Sequence, residues 1–448
     1  MADQLAFPLD ATPPGVYRQR GISSLQRLFR AHFPELVARY EAEFAKRLGT
    51  FRLDRISKAV EAFLQCGDYT RGLARVTCTN PRCTEEYFRP FSCKVFHLCP
   101  SCSQKRTLLF GEYLNERLML LLPHRQVVFT FPKVLRVFFR YDRSLYGELC
   151  KLVYPMMQRF YAEAAGRPIQ GAAVIAYASA GDFVRWNPHL HALFLEGGFD
   201  GEGRFVHVPS LDPAKLGQYF RSTVIGFFLK RRLINERLAK NMLDWTHSGF
   251  SVDLTVKIAA NSPKTRVSLA EYIARPPLSL KKMLVEEHGG SVLYRSVYNP
   301  YFATDQKLFP AIGFLVDLLQ HLPDAGAHLV RRYGLYSSRC RATWSDRPYL
   351  VRLAPAGWRE QHGSQSEPQP GLPPEQEPHL SVSARETRSA WARLIAKVYE
   401  VDPLVCPRCG SKMKVKAVIT DPQQLRRILR HLIKTGAAPP DLDLASAS

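Results

Sequence analysis

The sequence predicts an α+β protein of two or three domains, and three observations predict it. The chain has 448 residues, beyond the usual size of one domain. Hydrophobic residues make up 46% and charged residues 23%, which is enough for a sizeable core and excludes global disorder. Along the chain, apolar positions switch between helical and strand spacing.

Residues 16–65 read as helical and basic. Leu36, Val37, Tyr40, Phe44 and Leu48 recur at helical spacing, with Arg39, Lys46 and Arg47 on other faces. A cysteine-rich stretch, 66–102, follows. Leu108, Leu109, Leu114, Leu118 and Leu121 then predict a helix from Gln104 to about Leu122. After Pro123 the pattern changes: Gln126–Phe131 reads QVVFTF, β-branched and aromatic, and predicts a strand. A long helix is expected over Ser144–Ala165. Ala172–Ala178 reads as a buried strand. His189–Leu195 (HLHALFL) reads as another, opened by Pro188 and closed by Gly197 and Gly198. Residues 214–245 are helical and basic in pattern, and strand-like pieces recur at 250–258 and 292–297. From Gly357 to Pro378 the chain is rich in Pro, Gln and Glu with almost nothing to bury, as in a linker. In the last module, Leu425, Ile428, Leu429 and Leu432 form one helical face, and Arg426, Arg427, Arg430 and Lys434 form another.

Sixty-two Lys and Arg against 40 Asp and Glu leave a formal net charge of +22. Such an excess on a folded chain points to a polyanion, nucleic acid first and an anionic membrane second. The longest apolar run, Leu118–Leu122, is stopped by Pro123, His124 and Arg125, far short of the roughly 20 residues that span a bilayer. Met1–Gly15 lacks the charged-then-apolar layout of a signal peptide. The expectation is a cytoplasmic, nucleoid-associated protein with no membrane partner.

Ten cysteines are present, and eight fall in two clusters with short spacings. Cys66, Cys78, Cys83, Cys93, Cys99 and Cys102 crowd into 37 residues with His97 among them, which predicts structural Zn²⁺ held by a subset of four. Cys406 and Cys409, in C-P-R-C-G, look like half of a zinc ribbon. His431, Cys340 or a neighbouring chain could complete that site, and a metal-free turn is the other reading. Cys150 and Cys340 stand alone and read as small buried residues.

His189 and His191 are the sharpest pair. Residues i and i+2 of a strand share a face, so both imidazoles can reach one ion. Chance alone gives about 0.4 such triplets among 13 histidines. The triplet therefore gains weight only from its apolar flanks, since buried imidazoles need partners. Asp182, Glu196 and Glu271 are the candidate third ligands. Tyr272 lies in SLAEYIARPP, an expected helix ended by Pro276 and Pro277. A phenol with a pKa of about 10 is a poor nucleophile unaided. A metal on the scissile phosphate and cations such as Arg275, Lys281 or Lys282 would supply the help.

Several blocks together carry a resemblance. FSCKVFHLCPSCSQKR followed by LPHRQVVFTFPKVLR, then GDFVRWNPHLHALFLEGGF, MLDWTHSGFSV, LAEYIARPPLSLKKM, HLVRRYGLYSSR and VYEVDPLVCPRCGSKMKV, resemble in the same order the insertion sequence 91 family of rolling-circle transposases, including its ISCR-like members. The likeness covers roughly 60–440. N-P-H-L-H resembles the metal motif of HUH endonucleases.

The resemblance implies an HUH nuclease core whose antiparallel sheet carries the His pair and whose helix carries Tyr272. An N-terminal zinc-binding domain would precede it and a small C-terminal module would follow. The implied organisation is a tail (1–25), a helical and zinc-binding domain (26–117), the nuclease core (118–300), a helical extension (301–356), a linker (357–383) and a C-terminal helix with the CPRCG module (384–448). It further implies that His189 and His191 hold Mg²⁺ or Mn²⁺ and that Tyr272 attacks one DNA strand. The products would be a 5′-phosphotyrosine and a free 3′-hydroxyl. Single-stranded or hairpin DNA at the element's ends and target DNA are the implied partners, with a homo-oligomer as one arrangement. Members at the head of the family carry two tyrosines four residues apart. This chain has Ser268 at the upstream position and is similar to the one-tyrosine branch. A plasmid-type replication initiator or relaxase shares this chemistry, and a zinc-dependent DNA-binding protein with an inactive core is the rival of another class.

Overall fold

The computed structural model describes residues 22–48, 53–362 and 405–438, apart from 261, 263–265, 267–268, 270–271, 275, 287–289 and 301. Two compact units share the chain. One takes residues 1–30, 58–95 and 370–448, and the other takes 31–57 and 96–369.

The chain enters through helix α1 (Ser24–Arg39). Its start is fixed by a capping box: Ser23 Oγ accepts from the Gln26 N–H at 3.2 Å, and Gln26 Oε1 accepts from the Ser23 N–H at 3.0 Å. Helix α2 (Leu53–Leu64) and strands β1 (Leu73–Cys78) and β2 (Glu86–Pro90) follow. Next come helix α3 (Pro100–Tyr113), strand β3 (His124–Thr130) and the long helix α4 (Ser144–Ala165). Gly166, at φ 66°, ends α4 in the left-handed conformation that glycine adopts without strain. Strands β4 (Ala172–Ala180), β5 (Trp186–Leu195), β6 (Gly197–Phe199) and β7 (Phe205–His207) precede helices α5 (Pro213–Lys230) and α6 (Glu236–Asp244). Short strands β8 (Ser251–Asp253), β9 (Lys257–Ile258) and β10 (Met283–Val285) lead to β11 (Ser291–Asn299) and β12 (Thr304–Pro310). Helix α7 (Ala311–Leu319), strand β13 (Val330–Gly334), helix α8 (Ala356–His362), strand β14 (Met413–Ile419) and helix α9 (Pro422–Lys434) complete the order.

The larger unit is built on an antiparallel sheet of order β13-β4-β5-β3-β8, with β9 also on β3. Strand β5 is paired on both sides, so its alternation sorts side chains strictly. Leu190, Ala192 and Phe194 enter the core formed with Tyr146, Leu149 and Val153 of α4 and Phe220, Val224 and Phe228 of α5. Leu193 and Leu195 enter a second core on the opposite face, with Leu118, Leu120, Tyr336, Trp344 and Trp358. Pro188 is tolerated inside this central strand because the β4–β5 register slips between Ala178 and Ala180, a bulge that needs no N–H there. Burying apolar area on both faces stabilises the sheet by about 25 cal/mol per Å².

The smaller unit holds a second antiparallel sheet, β14-β1-β2. Leu425, Leu429 and Leu432 of α9 pack with Tyr69, Leu73, Phe88 and Ile419, while Arg426, Arg427 and Arg430 stay exposed.

Three stretches differ from the sequence reading. The helix expected to run to Leu122 ends at Tyr113 and passes through a wider turn, Leu114–Leu118. The region 301–356, expected as helical, contributes β12 and the edge strand β13, whose charged Arg331 and Arg332 hide the alternation. The stretch 357–362, expected as linker, is helical, with Trp358 buried; the rest of that linker lies outside the described residues. No helix among the described residues is long and apolar enough to cross a membrane.

Two buried histidines make the fold sensitive to acid. His124 Nδ1–H donates to Leu122 O at 2.8 Å, and the Tyr336 hydroxyl donates to His124 Nε2 at 2.6 Å. His321 donates from Nε2 to Val184 O at 2.8 Å and accepts at Nδ1 from Ser179 Oγ at 3.0 Å. Burial pushes each imidazole down to about 3. An unfolded histidine titrates near 6.5, so the unfolded chain binds more protons between those values. Stability is expected to be full above about pH 6.5 and to fall as pH drops toward 3. Urea midpoints measured from pH 8 to pH 4 check this; a midpoint unchanged down to pH 4 would contradict it.

Candidate active site and metal centres

The imidazoles of His189 and His191 lie on one face of β5, where the apolar packing of Leu193 and Leu195 gives way to an open cleft of about 650 Å³. Their strand neighbours make the room. His191 stands opposite Ala176 of β4, and His189 stands opposite Ala178. Methyl side chains leave the cleft floor low, and Ala176, Ala178 and Ala180 all line it.

The two Nε2 atoms are 2.9 Å apart. Two ligands at about 2.1 Å and right angles on one octahedral ion sit about 3.0 Å apart, so the pair fits such an ion. His189 Nδ1–H donates to Asn187 O at 2.6 Å, which fixes its tautomer and leaves the Nε2 lone pair facing His191. Burial lowers the pKa of His189, and burial together with the neighbouring His189 pushes His191 down to about 3. Both are neutral near pH 7, as metal ligands must be.

Tyr272 reaches the same cleft from a helical turn. Arg266, Leu269 and Ile273 are buried at spacings of three and four, one helical face. Arg266 Nη2 donates to Met119 O at 2.6 Å and Leu120 O at 2.7 Å, anchoring that face. Tyr272 lies at its margin, 46% exposed, with its ring 5.1 Å from the His191 ring in edge-to-face contact. Lys282 also lines the cleft; Lys281 is exposed and is not among the lining residues. Arg275, Glu271 and Ser268 lie outside the described residues.

Among the described residues, no carboxylate, thiol or further imidazole closes a three-ligand group with the His pair. Asp182 lines the cleft, but its carboxylate accepts from Asn299 Nδ2 at 2.7 Å and from Ser296 Oγ at 3.4 Å. Glu196 follows the far end of β5 and is buried against Arg125 Nε at 2.9 Å and His207 Nε2 at 3.1 Å. It is a structural ion pair. Asn187, which the sequence reading passed over, has an Oδ1 buried on the cleft wall without a hydrogen-bond partner among the described residues.

The cysteines divide differently from their order in the chain. Cys78 and Cys83 leave the first cluster and meet Cys406 and Cys409, all four Sγ atoms lying within 4.8 Å of one another. Cys78 and Cys409 are 3.5 Å apart, and Cys83 and Cys406 are 3.7 Å apart. A zinc tetrahedron with bonds of about 2.3 Å separates its thiolates by about 3.8 Å. Neither His431 nor Cys340 takes part; the missing half of the ribbon lies more than 300 residues upstream. Gly410, at φ 71°, turns the chain after Cys409, and hydrogen bonds from Ser411 lower the Cys409 pKa toward the thiolate that zinc requires. Strand pairing is what joins the two halves, since Cys78 stands opposite Met413 where β1 meets β14. Of the remaining thiols, Cys66 Sγ accepts from the Cys93 N–H at 3.4 Å, and Cys99 and Cys102 are buried at the start of α3.

A mixed α+β fold of antiparallel sheets, with thiols gathered as a zinc site requires and an imidazole pair on a cleft, defines the class. Comparison with known proteins gives the particular. Residues 36–131 match the family model of the transposase zinc-binding domain, and residues 179–343 match a transposase family model. A transposase for insertion sequence element IS801, from Pseudomonas savastanoi pv. phaseolicola, is 24% identical over 376 residues, covering 81% of this chain and 84% of that protein. No solved structure matches. The chain belongs to the insertion sequence 91 family of transposases.

The Glu196 assignment is checked by stability. Glu196→Ala leaves Arg125 buried without its partner and is expected to cost about 3–5 kcal/mol in chemical denaturation. A surface-like loss below about 1 kcal/mol would contradict it.

Proposed function

We propose that this transposase nicks and rejoins single-stranded DNA through Tyr272, by rolling-circle-type transposition on an HUH nuclease core. The reading rests on one observation above all: His189, His191 and Tyr272 share a cleft, with the His191 and Tyr272 rings in contact. His189 and His191 would hold Mg²⁺ or Mn²⁺. The nitrogen pair favours Mn²⁺, and the unpartnered Asn187 Oδ1 is an oxygen of the kind Mg²⁺ prefers. When bound, the ion supplies positive charge that polarises the scissile phosphate.

The chain's own groups carry the covalent step. Tyr272 Oη attacks phosphorus as the phenol proton departs. The bond from phosphorus to the 3′-oxygen breaks, and that oxygen takes up a proton to leave as a 3′-hydroxyl. The 5′-phosphate stays on Tyr272. Lys282, on the cleft wall, offsets the charge that develops on the phosphate. Attack of a 3′-hydroxyl on the phosphotyrosine reverses the step, so rejoining needs no external energy. With Ser268 at the upstream position, one tyrosine serves, as in the ISCR-like branch.

Zinc shapes the rest. Cys78, Cys83, Cys406 and Cys409 would hold one ion. The zinc-binding match over 36–131 covers the rest of the first cysteine cluster as well. Purified chain is expected to carry zinc by elemental analysis, and Cys406→Ser with Cys409→Ser is expected to remove one ion. A doubly substituted chain that kept its full zinc content would refute the joining of Cys78 and Cys83 with Cys406 and Cys409.

The nuclease reading is tested with single-stranded oligonucleotides carrying the element's terminal sequence, with and without Mn²⁺. A denaturation-resistant protein–DNA adduct is expected, reduced at least 100-fold in Tyr272→Phe and in His189→Ala. An adduct persisting in Tyr272→Phe would show that another residue is the nucleophile.

A further inference from the structure

The stretch HLVRRYGLYSSRCR puts Arg332 on the cleft with Arg341 beside it, and neither the imidazole pair nor Tyr272 explains the two. Strand β13 alternates its side chains. Arg331 lies on the α4 face, where a Cβ on Gly147 would stand 2.6 Å from its Nη2. Arg332 points to the other face and lines the cleft with Tyr113. There Arg332 Nη1 donates to the Tyr113 hydroxyl, and its Nη2 donates to Ser338 Oγ at 3.1 Å. Arg341 Nη1 donates to the same hydroxyl at 2.8 Å, and its Nη2 donates to Arg117 O at 3.0 Å.

Two guanidiniums therefore converge on one neutral oxygen. Neither has a carboxylate partner among the described residues, and the Arg341 Nε–H is buried without a partner. Burial and the facing Arg332 and Arg117 lower the Arg341 pKa; the Tyr113 phenol raises it. Buried Arg125 is met by the acid Glu196 and buried Arg266 by two backbone carbonyls, whereas Arg332 lines an open cleft. Two cations brought together without acid, one of them lining an open cleft, are an arrangement that a phosphate completes, and planar guanidinium forks match its oxygens.

The position suits a strand held by Tyr272. His191 is paired with Ala176, Ala176 with Val330, and Arg332 lies two residues further along β13. With strands about 4.8 Å apart and a rise of about 3.4 Å per residue, the Cα atoms of His191 and Arg332 are about 12 Å apart. That is the reach of a few nucleotides along a single strand.

We infer that Arg332 and Arg341, gathered on the Tyr113 hydroxyl, form a subsite for a DNA backbone phosphate a few nucleotides from the bond that Tyr272 cuts. The inference rests on the nuclease reading of the cleft.

Binding of a labelled single-stranded 20-mer to the full chain tests it, read as affinity and as the dependence of affinity on salt. Arg332→Gln and Arg341→Gln are each expected to bind about ten-fold more weakly, with the slope of log K against log salt shallower by about 0.7 per lost phosphate. Arg332→Lys retains the charge and loses the fork, so it is expected to keep the slope and lose part of the affinity. Should Arg341→Gln melt lower through loss of its bond to Arg117 O, the two Arg332 variants carry the test. An Arg332→Gln chain that melts, binds and responds to salt as the parent does would overturn the subsite. If the parent itself bound no single-stranded DNA, the nuclease reading would fail instead.

Discussion

Antiparallel pairing along both edges leaves β5 no freedom to turn, and the site follows from that constraint. Leu190, Ala192 and Phe194 must face α4 and α5 to bury their apolar surface, so His189 and His191 must face the other way. A slip of one residue would exchange the faces, driving two imidazoles into an apolar core and three apolar side chains into the cleft. Hydrophobic pattern thus aims the polar pair. Burial from the same packing keeps both imidazoles neutral, and the Asn187 carbonyl turns His189 so that its Nε2 meets that of His191. Small residues on β4 complete the arrangement, because a bulky side chain at Ala176 or Ala178 would fill the space that substrate needs.

The smaller unit faces a different difficulty. Its three-stranded sheet and helix α9 gather a modest apolar cluster, and so small a core is marginal without a staple. The four thiols of Cys78, Cys83, Cys406 and Cys409 sit beside a second small cluster of Val76, Cys406 and Met413, at the end of the β1–β14 pair. An ion there would tie strands from opposite ends of the sequence at the point where pairing alone is weakest. Closing a loop of more than 300 residues is entropically costly, which is why a metal clip gains most in such a place.

Much of this was legible in the sequence, and the rest was hidden for physical reasons. Periodicity found α4 over its full length and located β3, β4 and β5, because a buried helix and buried central strands carry unbroken apolar patterns. The edge strand β13 was missed because one side of an edge needs no apolar residues, and its two arginines mask the alternation. The His pair was legible since strand period alone places i and i+2 together. The partners of Cys406 and Cys409 were not, because spacing reports only neighbours in the chain and the join is made by long-range pairing. Glu196 was plausible as a ligand by type and proximity in sequence; only the structure shows Arg125 and His207 facing it.

The same distinction gives the net charge of +22 a location. An arginine met by a carboxylate, as Arg125 is by Glu196 or Arg55 by Asp324, holds the fold together and contributes no field for a ligand. An arginine held by neutral oxygens at an open cleft keeps its charge available, as buried Arg266 among its carbonyls does not. Arg332 on the cleft is of the second kind, and Arg341 shares its bond to Tyr113; both are thereby fixed, so little side-chain entropy remains to be lost when an anion arrives. Charge that is both unneutralised and already ordered is what separates a binding surface from a merely basic one. By that criterion the wall of the imidazole cleft stands apart from the solvated arginines on α9, where exposed side chains would have to be ordered by whatever they met.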